Sequence, residues 1–432
     1  MAGIASYPEC ARAGKGVDET VALLRRLLYI EGQLTKTFTA HLNAVAEWEA
    51  KCAMSLHLWQ DAEHCSWLRD RVVEMRSPPV RLDQVPSEGL QIFFEELICS
   101  RTTDELLIGI YGVLKPTLVA TMKEHIAIAN PMADYPTLRL FEFILLEEER
   151  QLRWGTAALE IIDAECREPA GLRDWKNHLL AYLGAAGGVT GSFDGSARQN
   201  LPARRYDGHF EPDRTPQRDA RFPRIWNSRG HGPAADPVSP AERNVHQLYI
   251  RLTEMHVPEL IALTMHDWKD QPWEFYHALA RHLFDETRHA MMGEVAFEAR
   301  GLDWKSVPHE ISFAEFLNRN FTPLERYTLL WEIEHSLMGK TGGKRSEFEN
   351  ARLAGDPLAI TFQDFDWADE VLHVQIANKW LKQAYPSDEE MGATCQVVRE
   401  KMDAVVNEDL SLPRSHWWED FYQQAYGDPP SP

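Results

Sequence analysis

The chain has 432 residues, of which 44% are hydrophobic and 26% charged, a composition that fits a folded globular protein of about three domains at roughly 150 residues each. It excludes a wholly disordered chain, a collagen-like fibre and a disulfide mini-scaffold. With 45 Lys+Arg against 66 Asp+Glu the formal charge is −21, a field that repels nucleic acid and anionic membrane surfaces, so neither is expected as a partner.

No apolar run comes near the ~18 residues of a membrane-spanning helix, and Met1 to Gly16 lacks the apolar core of a signal peptide, so a cytosolic protein is expected. Six cysteines are scattered without a Cys-x-x-Cys pair, which gives neither a zinc knuckle nor a disulfide framework.

Long stretches carry apolar residues at i, i+3, i+4 and i+7, and no strand ladder accompanies them, so the expected fold class is all-α. The pattern predicts helices over Leu23–Glu49, Ala53–Met75, Asp104–Ala127 and Pro136–Asp163, then a shorter one over Trp175–Ala185 that stops at Gly187-Gly188. From Thr190 to Arg243 the periodicity gives way to Arg, Asp, Pro and Gly. A stretch that long without structure of its own reads as a domain connection draped over the surface. Its arginines, Arg204, Arg205, Arg214, Arg218, Arg221 and Arg224, are expected to pair with the acidic domains.

Ser239-Pro240-Ala241-Glu242 has the spacing of a capping box with proline at the first helical position. It opens four more predicted helices, Asn244–Trp268, Pro272–Arg300, Pro323–Met338 and Pro357–Gln383. A helix over Asp388–Glu408 and an aromatic tail over Trp417–Tyr426 follow. The expected domains are 1–189, a linker 190–243, 244–385, and a C-terminal extension 386–432.

The second and fourth helices of the latter half each hold a Glu-x-x-His: Glu286-Thr-Arg-His289 and Glu370-Val-Leu-His373. Residues three apart share a helix face, so each motif aims a carboxylate and an imidazole at one point, and two such motifs facing each other nearly complete a dinuclear metal site. Single carboxylates on the first and third helices should supply the rest. On the first, Glu254 lies on the stripe of Ile250, Val257 and Ile261, with Glu259 as its competitor. On the third, Glu334 falls within the stripe of Tyr327, Leu330, Leu337 and Met338, while Glu332 falls on the polar side.

Glu254 and Glu286 are 32 residues apart and Glu334 and Glu370 are 36 apart, so each helix pair can form a hairpin whose ligands meet at one level. The candidate set is Glu254, Glu286, His289, Glu334, Glu370 and His373, serving as both metal ligands and catalytic centre. Carboxylate oxygens with one imidazole per metal suit iron or manganese better than zinc. Small residues one turn beyond each histidine, Gly293 and Ala377, leave room for dioxygen or substrate, or reflect packing alone. His256, His282 and His335 lie near the set in sequence but read as ordinary core or surface histidines. Gly342-Gly-Lys344-Arg lacks the spacing of a phosphate loop, and no strand precedes it.

With Glu, Glu-x-x-His, Glu, Glu-x-x-His on four successive helices, residues 244–383 resemble the ferritin-like di-iron carboxylate superfamily. The Asp-Glu-x-x-His form of both motifs, with Trp380 after the second, is closer to uncharacterised ferritin-like proteins than to ferritin itself. The resemblance implies a four-helix bundle holding two iron ions, with manganese or a mixed pair as alternatives. Glu286 and Glu370 would bridge, His289 and His373 would each bind one metal, and Glu254 and Glu334 would be terminal ligands. The implied activity is an O2-dependent oxidase or oxygenase acting on a small molecule, with electrons from substrate or from an electron-donor protein. A ferroxidase or iron store, and a scaffold with a structural metal, are the alternatives; self-association into a homodimer stays open.

The first half reads as a degenerate copy. Leu145 to Gly155 aligns without gaps on Leu283 to Gly293, with Gln151 where His289 stands. Glu31 then corresponds to Glu254, Asp61-Ala-Glu-His64 to Glu286-x-x-His289, and Tyr111 to Glu334. An amide and a phenol replace ligands poorly at a hard-metal site, so two pseudo-repeated four-helix bundles are expected, the first without its di-metal centre. A site for a single metal ion is the alternative there.

Overall fold

The helical periodicity is realised among the described residues, but the helix expected over Leu23–Glu49 is divided: one helix ends at His41 and the next starts at Trp48. In the computed structural model the described residues are 2–76, 84–165, 169–192, 201–223, 239–309, 311–339 and 343–409, and they form helices and their connections, with no β-strand among them. In order the helices are α1 (Tyr7–Cys10), α2 (Val17–His41), α3 (Trp48–Glu74), α4 (Glu88–Leu97), α5 (Thr103–Leu107), α6 (Lys115–Ile128), α7 (Tyr135–Glu165), α8 (Pro169–Ala185), α9 (Pro240–Thr253), α10 (His256–Asp267), α11 (Trp273–Glu298), α12 (Ser312–Asn320), α13 (Pro323–Leu337), α14 (Lys344–Ala354), α15 (Pro357–Ala384) and α16 (Asp388–Asp409). A π-helical stretch, Ile108–Leu114, joins α5 to α6. The fold class is all-α. Two compact units form, residues 1–41 with 57–211 and residues 42–56 with 212–432.

In the first unit, α2 buries Leu23, Leu24, Leu27, Leu28, Ile30, Leu34 and Phe38 on a face that also carries Glu31. The i, i+3, i+4, i+7 recurrence of those apolar residues makes this a core helix. The stop expected at Gly187-Gly188 is present: both glycines take positive φ, +76° and +62°, a conformation open to glycine because it lacks a Cβ. The N–H of Gly188 closes back on the carbonyl of Leu183. Arg26 covers that end by donating to the carbonyls of Ala186, Gly188 and Val189.

The stretch Thr103–Ile128 is longer in apolar residues than the sequence reading allowed. It is long and apolar enough to cross a membrane, and 67% of its apolar window is buried within the protein. The helix expected over 104–127 contains the π-helical segment, whose wider turn carries Tyr111. A bulge of this kind lets one face of a helix change phase without a break.

In the second unit the capping box is formed as read. Ser239 accepts from the Glu242 N–H at 3.2 Å, and Glu242 accepts from the Ser239 N–H at 2.6 Å. The helix expected over Asn244–Trp268 is instead interrupted: α9 ends at Thr253, Glu254 caps it, and α10 starts at His256. His256 Nδ1 bonds the Thr253 carbonyl at 2.7 Å across the break. Both α9 and α10 pack on α11, α10 also packs on α13, and α15 packs on α11 and α13. That is a four-helix arrangement in which α9 and α10 together make one broken member. Two helices of this unit have no counterpart in the sequence reading: α12, which packs on α10, and α14, which packs on α9 and α15.

Gly293 lies where α11 meets α9, and a Cβ there would overlap the backbone of Leu252. Close helix approach therefore explains this glycine, and the reading that it leaves room for dioxygen or substrate is not supported. The arginines of 201–223 are paired: Arg204 with Glu96 at 3.0 Å, Arg205 with Glu105, Arg214 with Asp267, Arg218 with Glu259, and Arg221 with Glu49 at 2.6 Å. Arg224 and the aromatic tail lie outside the described residues.

Candidate metal centre

All six residues singled out from the sequence come together inside the second unit. Glu254 stands at the helix break, Glu286 and His289 on α11, Glu334 on α13, and Glu370 and His373 on α15. Except for the partly covered Glu254, their side chains are buried. The competitors face elsewhere. Glu259 is held by Lys51 and Arg218, and Glu332 pairs with Arg399.

Two overlapping groups of donor atoms, each within 4.8 Å of one another, share Glu286: one is Glu286 with His282, Glu334 and His373, the other Glu286 with Glu254 and His289. His373 Nδ1 lies 3.0 Å from Glu286 Oε1 and 3.9 Å from Glu370 Oε2. His289 Nδ1 lies 3.8 Å from Glu286 Oε2 and 3.9 Å from Glu254 Oε2. Neither Nδ1 makes a hydrogen bond, and the same is true of Glu334 Oε2 and Glu370 Oε2. Buried polar atoms without partners are costly, and here they converge. These are donor groups that could hold metal ions.

The aspartates preceding each motif glutamate cross over to the opposite helix. Asp369 Oδ2 sits 3.3 Å from His289 Nε2, and Asp285 Oδ2 sits 3.5 Å from His373 Nε2. Arg288 donates to both aspartates, at 2.7 and 2.6 Å. A carboxylate behind each imidazole orients the ring and leaves the other nitrogen for a metal.

Three further residues join the cluster that sequence reasoning did not assign. His282 Nε2 lies 2.9 Å from Glu334 Oε1, and its ring stacks on His373 at 3.8 Å. Its signal was available, since it stands one turn before Glu286. Asp366, one turn before Glu370, is 3.4 Å from His289 Nδ1 and 2.5 Å from Arg251. Lys344, at the start of α14, is buried and donates to both oxygens of Asp366 at 3.0 Å, and lies 2.8 Å from Glu370 Oε1. It belongs to a motif set aside as a failed phosphate loop, and nothing local in the sequence marks it. Of the other histidines, His335 stacks on Trp331 at the surface and stays apart.

Protonation in the cluster follows from crowding. Burial alone would lower His289, but Asp366, Asp369 and Glu286 lift it to about 10. His373 is likewise raised against its burial by Asp285, Glu286 and Glu334. Burial raises Glu254 to about 8 despite Arg251 and Lys344, and raises Glu334 despite His282. Glu286, facing three imidazoles, is held well below the usual carboxylate range although it is buried. The raised histidines bring positive charge into a cluster crowded with carboxylates.

The first unit gathers Glu31 of α2, Asp61 and His64 of α3, and Glu148 of α7, all buried, with donor atoms within 4.8 Å of one another. Lys115 of α6 is buried against Asp61 at 3.0 Å and Glu148 at 2.6 Å. Gln151 donates to Asp61 at 3.0 Å, and Tyr111 is bonded to His57 at 2.5 Å. Lys115 was not foreseen.

No protein-family model matches the chain, and neither a curated protein nor a solved structure shows significant similarity to it.

Proposed function

We propose that the second unit is a dinuclear-metal centre of ferritin-like type that activates dioxygen to oxidise a small organic molecule. The observation that carries this reading is the convergence of buried donor atoms that make no hydrogen bond: Glu334 Oε2, His289 Nδ1 and His373 Nδ1 in the groups that share Glu286, and Glu370 Oε2 beside His373. The donor set fits: oxygen-rich with an imidazole on each side, it suits Fe(II) or Mn(II) better than zinc. Two such ions, when bound, would supply the electrons that reduce O2 and the oxidising power used on substrate.

The protein's own residues do the rest. Glu286 spans the two positions, His373 with Glu334 and His282 serves one, and His289 with Glu254 serves the other. Asp285 and Asp369 hold the rings, and Arg288 fixes those aspartates. Glu254, Glu286, Glu334, Glu370 and Asp366 outnumber Arg251 and Lys344, so bound cations would take the place of the protons that crowding puts on this cluster.

A single-metal reading has one observation in its favour, the contact of Lys344 with Glu370 at 2.8 Å, which places an ammonium where a cation could lie. That reading leaves His289 Nδ1 and Glu370 Oε2 buried without a hydrogen bond, so the two-metal reading accounts for more. Anomalous scattering from crystals reconstituted anaerobically with Fe(II) decides between them. Two peaks flanking Glu286 are expected, and one or none overturns the dinuclear centre. Oxygen uptake by the reduced protein, abolished by Glu286→Ala, separates an oxidative enzyme from a scaffold. A mass near that of a monomer or dimer, rather than a large shell, separates it from an iron store.

A further inference from the structure

We propose that the first unit holds one divalent cation of its own, bound by Glu31, Asp61, His64 and Glu148, with the Lys115 ammonium occupying the place of a second.

Five buried atoms in this cluster have no hydrogen-bond partner: both carboxylate oxygens of Glu31, Asp61 Oδ2, Glu148 Oε2 and His64 Nδ1. Glu31 is 0% exposed. A carboxylate removed from water with neither oxygen bonded is among the costliest groups a core can hold. His64 Nδ1 lies 3.6 Å from Glu31 Oε1 and 3.7 Å from Glu148 Oε1. Its Nε2 is bonded to Glu147 at 3.0 Å, so the ring is oriented from behind and presents Nδ1 to the carboxylates.

Lys115 divides the cluster. It uses Asp61 Oδ1 and Glu148 Oε1, while the second oxygen of each remains unpartnered beside Glu31 and His64. Three carboxylates and one ammonium leave two negative charges. A single divalent cation with a neutral imidazole brings the sum to zero, and a second would leave the buried cluster at +2, so the expected stoichiometry is one. Three oxygen donors and one imidazole favour Mn(II) or Fe(II) over calcium or magnesium. The site uses no residue of the proposed dinuclear centre and stands or falls separately from it.

The test uses the full-length chain carrying Glu286→Ala and His373→Ala, which removes the second-unit centre. Titrated with Mn(II) and followed by the EPR signal of free ion, this variant is expected to bind one equivalent. Adding Glu31→Gln, which keeps the shape but removes the charge, should weaken binding at least about tenfold, as should His64→Ala. Labelling histidine with 15N should give a coupling to the bound Mn(II) that His64→Ala removes. No bound Mn(II) in the Glu286/His373 variant, or binding unchanged by Glu31→Gln, overturns the proposal and leaves a cluster neutralised by protons. Failure of the dinuclear reading would show differently, as wild-type protein binding no more metal than that variant.

Discussion

Asp369 Oδ2 lies 3.3 Å from Nε2 of His289, on the opposite side of the ring from the glutamates that its Nδ1 faces. The two residues sit on different helices, α15 and α11, and Asp285 stands toward His373 in the reverse sense at 3.5 Å. Each Asp-Glu-x-x-His thus offers its own glutamate and histidine to the cluster and lends its aspartate to the other motif. Asp369→Asn should weaken metal binding by about 10- to 100-fold, the usual cost of losing an outer carboxylate. Chelator competition with Fe(II) measures it. Asp285→Asn should do the same from the other side, and unchanged affinity in both variants would make the aspartates mere partners of Arg288.

A second prediction separates two glutamates two residues apart on α13. Glu334 is buried beside His282, and Glu332 pairs with Arg399 on the outer face, as the roughly 200° between them on a helix requires. Glu334→Gln is expected to lower metal stoichiometry in the second unit, and Glu332→Gln to leave it unchanged. The reverse ranking would move the ligand to Glu332.

That six residues would gather at one place was legible because helical spacing alone fixes which side chains share a face, and Glu-x-x-His occurs twice. What was not legible depended on contacts distant in sequence. Lys344 and Lys115 are ordinary lysines until folding places them among carboxylates. The break at Glu254 has its signal four residues on, in Pro258, which has no N–H to bond the Glu254 carbonyl, and Ile250, on the expected buried stripe, is 40% exposed. His282 could have been found, since His282-x-x-x-Glu286-x-x-His289 has the same spacing as His57-x-x-x-Asp61-x-x-His64. In one unit that histidine meets Glu334, and in the other Tyr111.

The third prediction concerns packing. Gly293→Ala places a methyl group against the Leu252 backbone, which forces α9 away from α11 close to both Glu254 and His289. A destabilisation of about 1–3 kcal/mol is expected from overpacking, together with weaker metal binding. Gly171 in α8 is the control, because its Cβ would meet nothing within 4 Å. Gly171→Ala should stabilise by about 0.4–1 kcal/mol through the entropy of the unfolded chain. Denaturant midpoints of the two variants, shifting in opposite directions, check the pair; a Gly293→Ala protein as stable as wild type would restore the idea of a cavity there.

The last prediction is a pH dependence carried by His309 in the second unit. Its ring stacks on Phe222 at 4.4 Å and meets Trp48 edge-on, and its Nε2 is buried without a partner. Burial, then the nearby positive charges of Arg218 and Lys51, push it down to about 3 despite Asp219. The unfolded chain takes up this proton near the ordinary histidine value of about 6.5. Between those values the unfolded state binds the extra proton, so the stabilisation is fully present above about 6.5 and is lost as pH falls toward 3. The slope from this one group approaches about 1.4 kcal/mol per pH unit within the window. His309→Phe retains the aromatic stack and removes the titration. Because acidic groups elsewhere titrate in both proteins, the measured quantity is the stability difference between wild type and variant. From about pH 7.5 to about pH 5 that difference should move in favour of the variant by on the order of 2 kcal/mol. A difference that stays constant would mean that His309 takes up its proton in the folded protein as readily as in the unfolded chain.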